Sequence, residues 1–144
     1  MGMIDVGDKP VVLREAEAVG RAVLSTESIQ AIKQGKVKKG DPLMVAEIAG
    51  LNAAKQTSVW IPHCHQISLD TVGLSFSVTE DAVEVRCRVK ARARTGVEME
   101  ALVGVSAALC TIWDMVKYLE KDSKGQYPNT SISQIKVVMK VKQQ

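Results

Sequence analysis

The spacing of hydrophobic positions changes several times along the chain, and each change marks a predicted element. In "VVLREAEAVGRAVLS", residues 11–25, the apolar positions fit either a strand or a poor helix, and the pattern alone does not choose. "STESIQAIKQGK" reads as a short helix opened by Ser25 or Thr26 and closed at Gly35. A basic turn, "KVKKGDP", follows. Asp41 then suits a helix N-cap with Pro42 at the first helical position, and the small residues Ala46, Ala49, Gly50, Ala53 and Ala54 predict a tightly packed helix. That helix should end before "IPHCHQI", because Pro62 disfavours helical backbone in the residue ahead of it.

Alternation of period two comes next. Val72, Leu74, Phe76 and Val78 predict one strand, Val83, Val85, Cys87, Val89 and Ala91 a second, and "TEDA" between them makes a hairpin. After Gly96 the spacing becomes helical again, through Val97, Ala101, Val105, Ala108, Ile112, Met115 and Leu119. A loop then leads to a last strand, with Ile135, Val137, Met139 and Val141 expected on one face. Helices and antiparallel strands without strict alternation imply an α+β sandwich, its helices packed on one side of the sheet.

Composition narrows the class. A chain of 144 residues that is 46% hydrophobic and 24% charged has the balance of one globular domain, taken here as residues 1–144. No run of apolar residues reaches the roughly 18 needed to span a bilayer, and "MGMIDVGDKP" lacks the apolar centre of a signal peptide, so a cytoplasmic protein without membrane partners is expected. Three separated cysteines, Cys64, Cys87 and Cys110, point to free thiols rather than a disulfide framework. The net charge of +3 favours anions mildly, but with only 3% aromatic residues there are few platforms for stacking bases, and no nucleic-acid partner is expected.

Several stretches carry candidate chemistry, each with a plain structural reading beside it. Glu98 stands three residues after Thr95, the spacing of a capping box, which would leave Glu100 unexplained. Asp114 and Lys117 are neighbours on a helix surface and could be an ordinary exposed ion pair. "HCH" at 63–65 invites a zinc reading; in an extended chain His63 and His65 share a side while Cys64 faces away, so at most two ligands converge where a structural site wants four. A polar loop or a substrate contact remain the alternatives there. Glu84, Arg86, Arg88, Lys90 and Arg92 form a polar strand face that Arg94 continues, either solvated or a phosphate funnel. No glycine-rich phosphate loop of standard spacing exists, so any phosphate site would be built from separate Lys and Arg side chains.

Taken in order, "MIDVGDKPVVLREA", "KKGDPLMVAEIAGLNAAKQTS", "IPHCH", "RTGVEMEALVGVSAAL" and "IWDMVK" closely resemble the molybdenum cofactor biosynthesis protein C family of cyclic pyranopterin monophosphate synthases. The resemblance runs from about Met3 to Lys121, and "TGVEMEAL" with the later Asp-Met-x-Lys is its most specific part. Departures are Gln66 where the family usually has Pro, His63 where it has an apolar residue, a longer "KDSKGQYPNTSIS" connection, and no "KSGGKSG" ending.

The resemblance implies a ferredoxin-like α/β sandwich and conversion of 3′,8-cyclo-7,8-dihydro-GTP to cyclic pyranopterin monophosphate and pyrophosphate. No cofactor or metal is implied, only the small-molecule substrate. Asp114 and Lys117 carry over as an acid/base pair and Lys39 as a second catalytic or phosphate-stabilising cation. Cys64, His65, Glu98, Met99 and Glu100 carry over as substrate contacts, with His63 included from the same stretch, and Arg14, Lys55 and Arg94 as triphosphate ligands. On a continuous helix Glu100 and Asp114 would stand about 21 Å apart along the axis, too far for one small substrate. The family's assembly, a homohexamer built as a trimer of dimers with sites at subunit interfaces, would let one chain supply the glutamates and its neighbour the later pair. A nucleotide- or RNA-binding module using the basic strand is the alternative reading.

Overall fold

A computed structural model describes residues 1–144. Four strands, β1 (Val12–Val23), β2 (Thr71–Val78), β3 (Ala82–Ala93) and β4 (Ser131–Gln143), form an antiparallel sheet in the order β2-β3-β1-β4. Between β1 and β2 run α1 (Thr26–Gln34), α2 (Pro42–Lys55) and the single turn α3 (Thr57–Trp60), while α4 (Glu98–Glu120) joins β3 to β4. Both crossovers skip one strand, giving the split βαβ arrangement of a ferredoxin-like sandwich with helices on one face.

The ambiguous first stretch is a strand because its burial alternates with period two: Ala16, Ala18 and Ala22 lie under the helices and the residues between them are half exposed. Small residues in this row let α4 approach closely. A Cβ built on Gly20 would stand 2.7 Å from Leu109 Cδ1 and 2.9 Å from Val105 Cγ1. Where α2 crosses α4 the backbones themselves meet, and a Cβ on Gly50 would lie 2.9 Å from the Gly104 carbonyl oxygen. Ser25 caps α1 and Asp41 caps α2, as their positions predict, and Gly35 ends α1 in the left-handed region at φ 67°. Val83, Val85, Val89, Val105, Leu109, Ile112 and Val116 fill the space between sheet and helix. Cys87 is buried among them, and burial pushes its thiol up to about 12. Cys64 and Cys110 are free as well.

Three expectations require correction. The last strand does not keep one apolar face. Ala18 pairs with Val137 but Glu17 with Met139, so Val138 is an inserted residue; a second irregularity falls near Gln134, whose φ is 56°. Each one-residue slip exchanges the faces, placing Ile135 and Val137 on the helix side while Met139 and Val141 oppose Glu17 and Glu15 on the other. Second, α4 is in fact long and apolar enough by length and composition to cross a membrane. Here that apolarity packs against the sheet and α2. Third, Leu119 does not close the buried stripe of α4; it is half exposed, and Glu120 is buried at 7% exposure.

Candidate functional site

Functional side chains gather at both ends of α4. At its start Thr95 does not cap the helix: Val97 holds the N-cap position, with no side-chain hydrogen bond, which removes the capping-box reading. The Glu98 carboxylate folds back instead over Gly96, where a Cβ would collide with it. Lys140 Nζ approaches Glu98 Oε2 at 3.4 Å, while Oε1 is buried without a partner. Glu100 is only 4% exposed. Burial raises its carboxyl above the ordinary range, a backbone hydrogen bond opposes the shift, and the charge of Glu98 adds to it.

These residues line a cavity of about 460 Å³ together with His63, Cys64, His65 and Met99. The segment before β1 closes its far side with Ile4, Asp5 and Lys9. His65 Nε2 lies 2.6 Å from the Ile4 carbonyl oxygen, which only accepts, so this nitrogen carries the proton. The Cys64 thiol is raised by burial and then by Glu100, which keeps it neutral rather than a nucleophilic thiolate. No three His, Cys, Asp or Glu side chains converge as metal ligands anywhere in the chain.

The three expected phosphate cations do not point into this cavity. Arg14 is buried and its Nη2 donates to the Arg94 carbonyl oxygen at 3.1 Å, leaving Nε unpartnered. Arg94 borders an adjoining depression that His65 also lines, and Lys55 borders a further one. Gln66, Ile67 and Ser68 line both of these, so Lys55 and Arg94 flank the segment that follows His65.

At the other end, Asp114 is held by two cations from separate segments. Lys117 Nζ stands 3.0 Å from Oδ1, one turn along the helix, and Lys39 Nζ, from the loop between α1 and α2, stands 3.1 Å from Oδ2 and from the Asp114 carbonyl oxygen. The group is exposed, Asp114 at 56%. Hydrogen bonds from Lys117 and then Lys39 hold the Asp114 carboxyl below the usual aspartate range, and Asp114 in turn raises Lys117. Attraction to Asp114 therefore outweighs desolvation at Lys117, and its ammonium keeps its proton. A shallow cavity of about 380 Å³ beside them is lined by Cys110, Trp113, Tyr127 and Ile132, with the Trp113 and Tyr127 rings 5.1 Å apart.

Thus Lys39, Asp114 and Lys117 meet, His63 to His65 meet Glu98 to Glu100, and the two groups lie at opposite ends of one helix. Lys140, Ile4, Asp5 and Lys9 escaped the sequence reading: the last three come from a segment without telling periodicity that only the "MIDVGDKP" motif marks, and Lys140 stands between the apolar positions of the predicted last strand. The basic strand face is partly neutralised, with Arg88 paired to Glu15 at 2.8 Å and Arg86 to Glu17 at 3.0 Å.

Comparison with known proteins bears on this pair of clusters. A family model described as the MoaC family matches residues 3–143. The chain is 53% identical over 142 residues to a probable cyclic pyranopterin monophosphate synthase of Pyrococcus furiosus, covering 99% of this chain and 91% of that one. It is 54% identical over 140 residues to a protein of the same description from Thermococcus kodakarensis, covering 97% and 90%. A third, from Thermoplasma acidophilum, is 50% identical over 140 residues, covering 97% and 98%. With nearly the whole sequence matched by the family model and by relatives sharing about half its residues, the chain belongs to the MoaC family.

Proposed function

We propose that this protein is a cyclic pyranopterin monophosphate synthase, a lyase that converts 3′,8-cyclo-7,8-dihydro-GTP to cyclic pyranopterin monophosphate with release of pyrophosphate. The observation that carries the chemical assignment is the carboxylate of Asp114 set between Lys39 and Lys117. The reaction opens a purine-derived ring and recloses it as a pterin, which needs protons moved on and off nitrogen and oxygen. A sugar-derived hydroxyl then attacks phosphorus, forming a P–O bond as the bond to pyrophosphate breaks.

In this reading Lys117 serves as an ammonium that gives up a proton to a leaving or developing anion, because Asp114 keeps it charged beforehand. Asp114 holds that ammonium in place and takes the proton that the attacking hydroxyl loses as the P–O bond forms, and Lys39 adds charge opposite the phosphates. Glu100, raised by burial, is suited to hold a proton against a ring nitrogen. Glu98, Met99, His63 and His65 would position the ring, with Cys64 as a neutral thiol donor. Arg14, Lys55 and Arg94 are assigned to the triphosphate, which would draw Arg14 Nε into contact.

The two clusters complete one site only if they come from different chains, so we assign the active form to a homohexamer with sites between subunits. Support comes from the separation along α4 and from the exposed apolar side chains Met44, Val45, Ile48, Val59 and Trp60 on α2 and α3. We take the whole chain as one cytoplasmic domain acting on a small, soluble substrate. Purified protein incubated with the cyclised GTP derivative should release pyrophosphate; protein that binds this compound and releases none would overturn the assignment.

A further inference from the structure

Lys39 sits on the loop at residues 36–41, which has no helix or strand to hold it. A lysine on such a loop has many rotamers and a backbone free to drift, so something beyond its own ion pair has to aim it. The structure shows what touches this loop. Val37 is buried against the core cluster. The Lys38 backbone N–H donates to the Tyr118 hydroxyl at 2.9 Å, and the Lys38 ammonium lies 5.2 Å from the centre of the Tyr118 ring. Tyr118 is one turn beyond Asp114 and directly follows Lys117 on α4. The residue before Lys39 is thus pinned, by backbone and by side chain, to the helix that carries Asp114.

We propose that Tyr118 is a positioning residue: by binding Lys38 through its hydroxyl and its ring, it fixes the loop so that Lys39 reaches Asp114. This rests on the reading of Lys39 and Asp114 as catalytic. Neither the hydroxyl nor the ring of Tyr118 borders the cavity beside Trp113 and Tyr127, so its action is indirect. Lys38 contributes through its backbone N–H, which any residue but proline would supply, and through its charge over the ring. The cations facing Asp114 are Lys39 and Lys117, and the arrangement predicts that loosening one of them is felt at the carboxylate.

The test is a cycle of Tyr118→Phe, Lys39→Ala and the double variant, with pyrophosphate release as the rate and the Asp114 carboxyl followed by carbon NMR. Tyr118→Phe keeps the ring and its packing, so the fold and the urea midpoint should be retained. Losing the single hydrogen bond to Lys38 should lower kcat about fivefold to tenfold with little change in KM. The Asp114 carboxyl should titrate at higher pH, in the same direction as in Lys39→Ala. In the Lys39→Ala background Tyr118→Phe should do nothing further. A fully active Tyr118→Phe with an unmoved Asp114 titration, or a deficit that multiplies that of Lys39→Ala, would overturn the proposal. If Lys39→Ala keeps the full rate, it is the catalytic reading of Lys39 that fails, and the Asp114 titration in Tyr118→Phe then decides alone whether Tyr118 positions this loop.

Discussion

The two ends of α4 handle acidic residues in opposite ways. At the start, Glu100 is buried, burial and the charge of Glu98 raise its carboxyl, and it lines a cavity. Near the end, Asp114 is exposed, and two lysines hold it ionised. The helix dipole opposes the first arrangement, since it stabilises negative charge in the first turn and burial outweighs it at Glu100, and it supports the Lys117 ammonium in the last turn. One apolar helix thereby presents a carboxyl able to hold a proton at one end and a charged acid at the other. The lesson is that exposure and partners, rather than residue type, set the role of each carboxylate.

The largest expected effects separate a catalytic triplet from a surface ion pair. Asp114→Asn and Lys117→Ala should each lower pyrophosphate release about a hundredfold to ten-thousandfold, while the urea midpoint stays where it is. The double variant should be little worse than the poorer single one, because groups acting as a unit are not additive. Single variants that keep most of the rate would return the pair to the status of ordinary surface charges.

Glu120 sharpens the contrast from within the same helix. It too is buried yet stays ionised: burial pushes its carboxyl up, and hydrogen bonds from Ser25, Ser28 and Thr130 together outweigh that and hold it below the ordinary glutamate value. Both Ser25 groups donate, the N–H at 3.0 Å and the hydroxyl at 2.6 Å, and Thr130 donates at 2.6 Å. These bonds fasten the end of α4 to the start of α1 and to the entry of β4. Glu120→Ala strands their donors and should cost about 3 kcal/mol of stability by denaturant titration. Because the folded value is depressed, this contribution is present in full above the unfolded value near 4.5 and is lost as pH falls below it. The variant's deficit relative to the parent chain should therefore shrink in acid; a deficit that does not change with pH would contradict an ionised clamp.

How much of this was legible in sequence follows from how local each rule is. Ser25, Gly35, Asp41 and Pro42 act within a few residues, and the caps of α1 and α2 stand where the sequence puts them. The alternation in β2 and β3 and the pairing of Asp114 with Lys117 are local in the same sense. Thr95 matched a local rule that Gly96 and the fold-back of Glu98 override. Glu120 looked like one more charge at a helix end, because its donors lie 95, 92 and 10 residues away. The inserted residue in β4 depends on pairing with β1, so the strand pattern alone hid its change of face. Lys39 meeting Asp114 and Lys140 meeting Glu98 are likewise contacts between remote segments; family resemblance suggested a role for the first and nothing pointed to the second.

A smaller effect is expected at Lys140, whose side chain is more than half exposed and whose ammonium forms an ion pair with Glu98. Lys140→Ala should raise KM about twofold to tenfold and leave kcat and the urea midpoint almost unchanged, as suits a rim contact that screens Glu98 from an anionic substrate. A large fall in kcat would instead move Lys140 into the reacting centre and make the glutamate end more than a binding surface.

The claim that the two ends of α4 serve one site from different chains is tested most directly by mixing variants. Glu100→Gln damages one end and Asp114→Asn the other, and each alone should be nearly inactive. Co-expressed with different tags and purified as mixed assemblies, they should regain about a quarter of the parent pyrophosphate release, because random pairing forms that share of sites from two undamaged ends. Mixed assemblies no more active than the two variants measured apart would contradict a shared site.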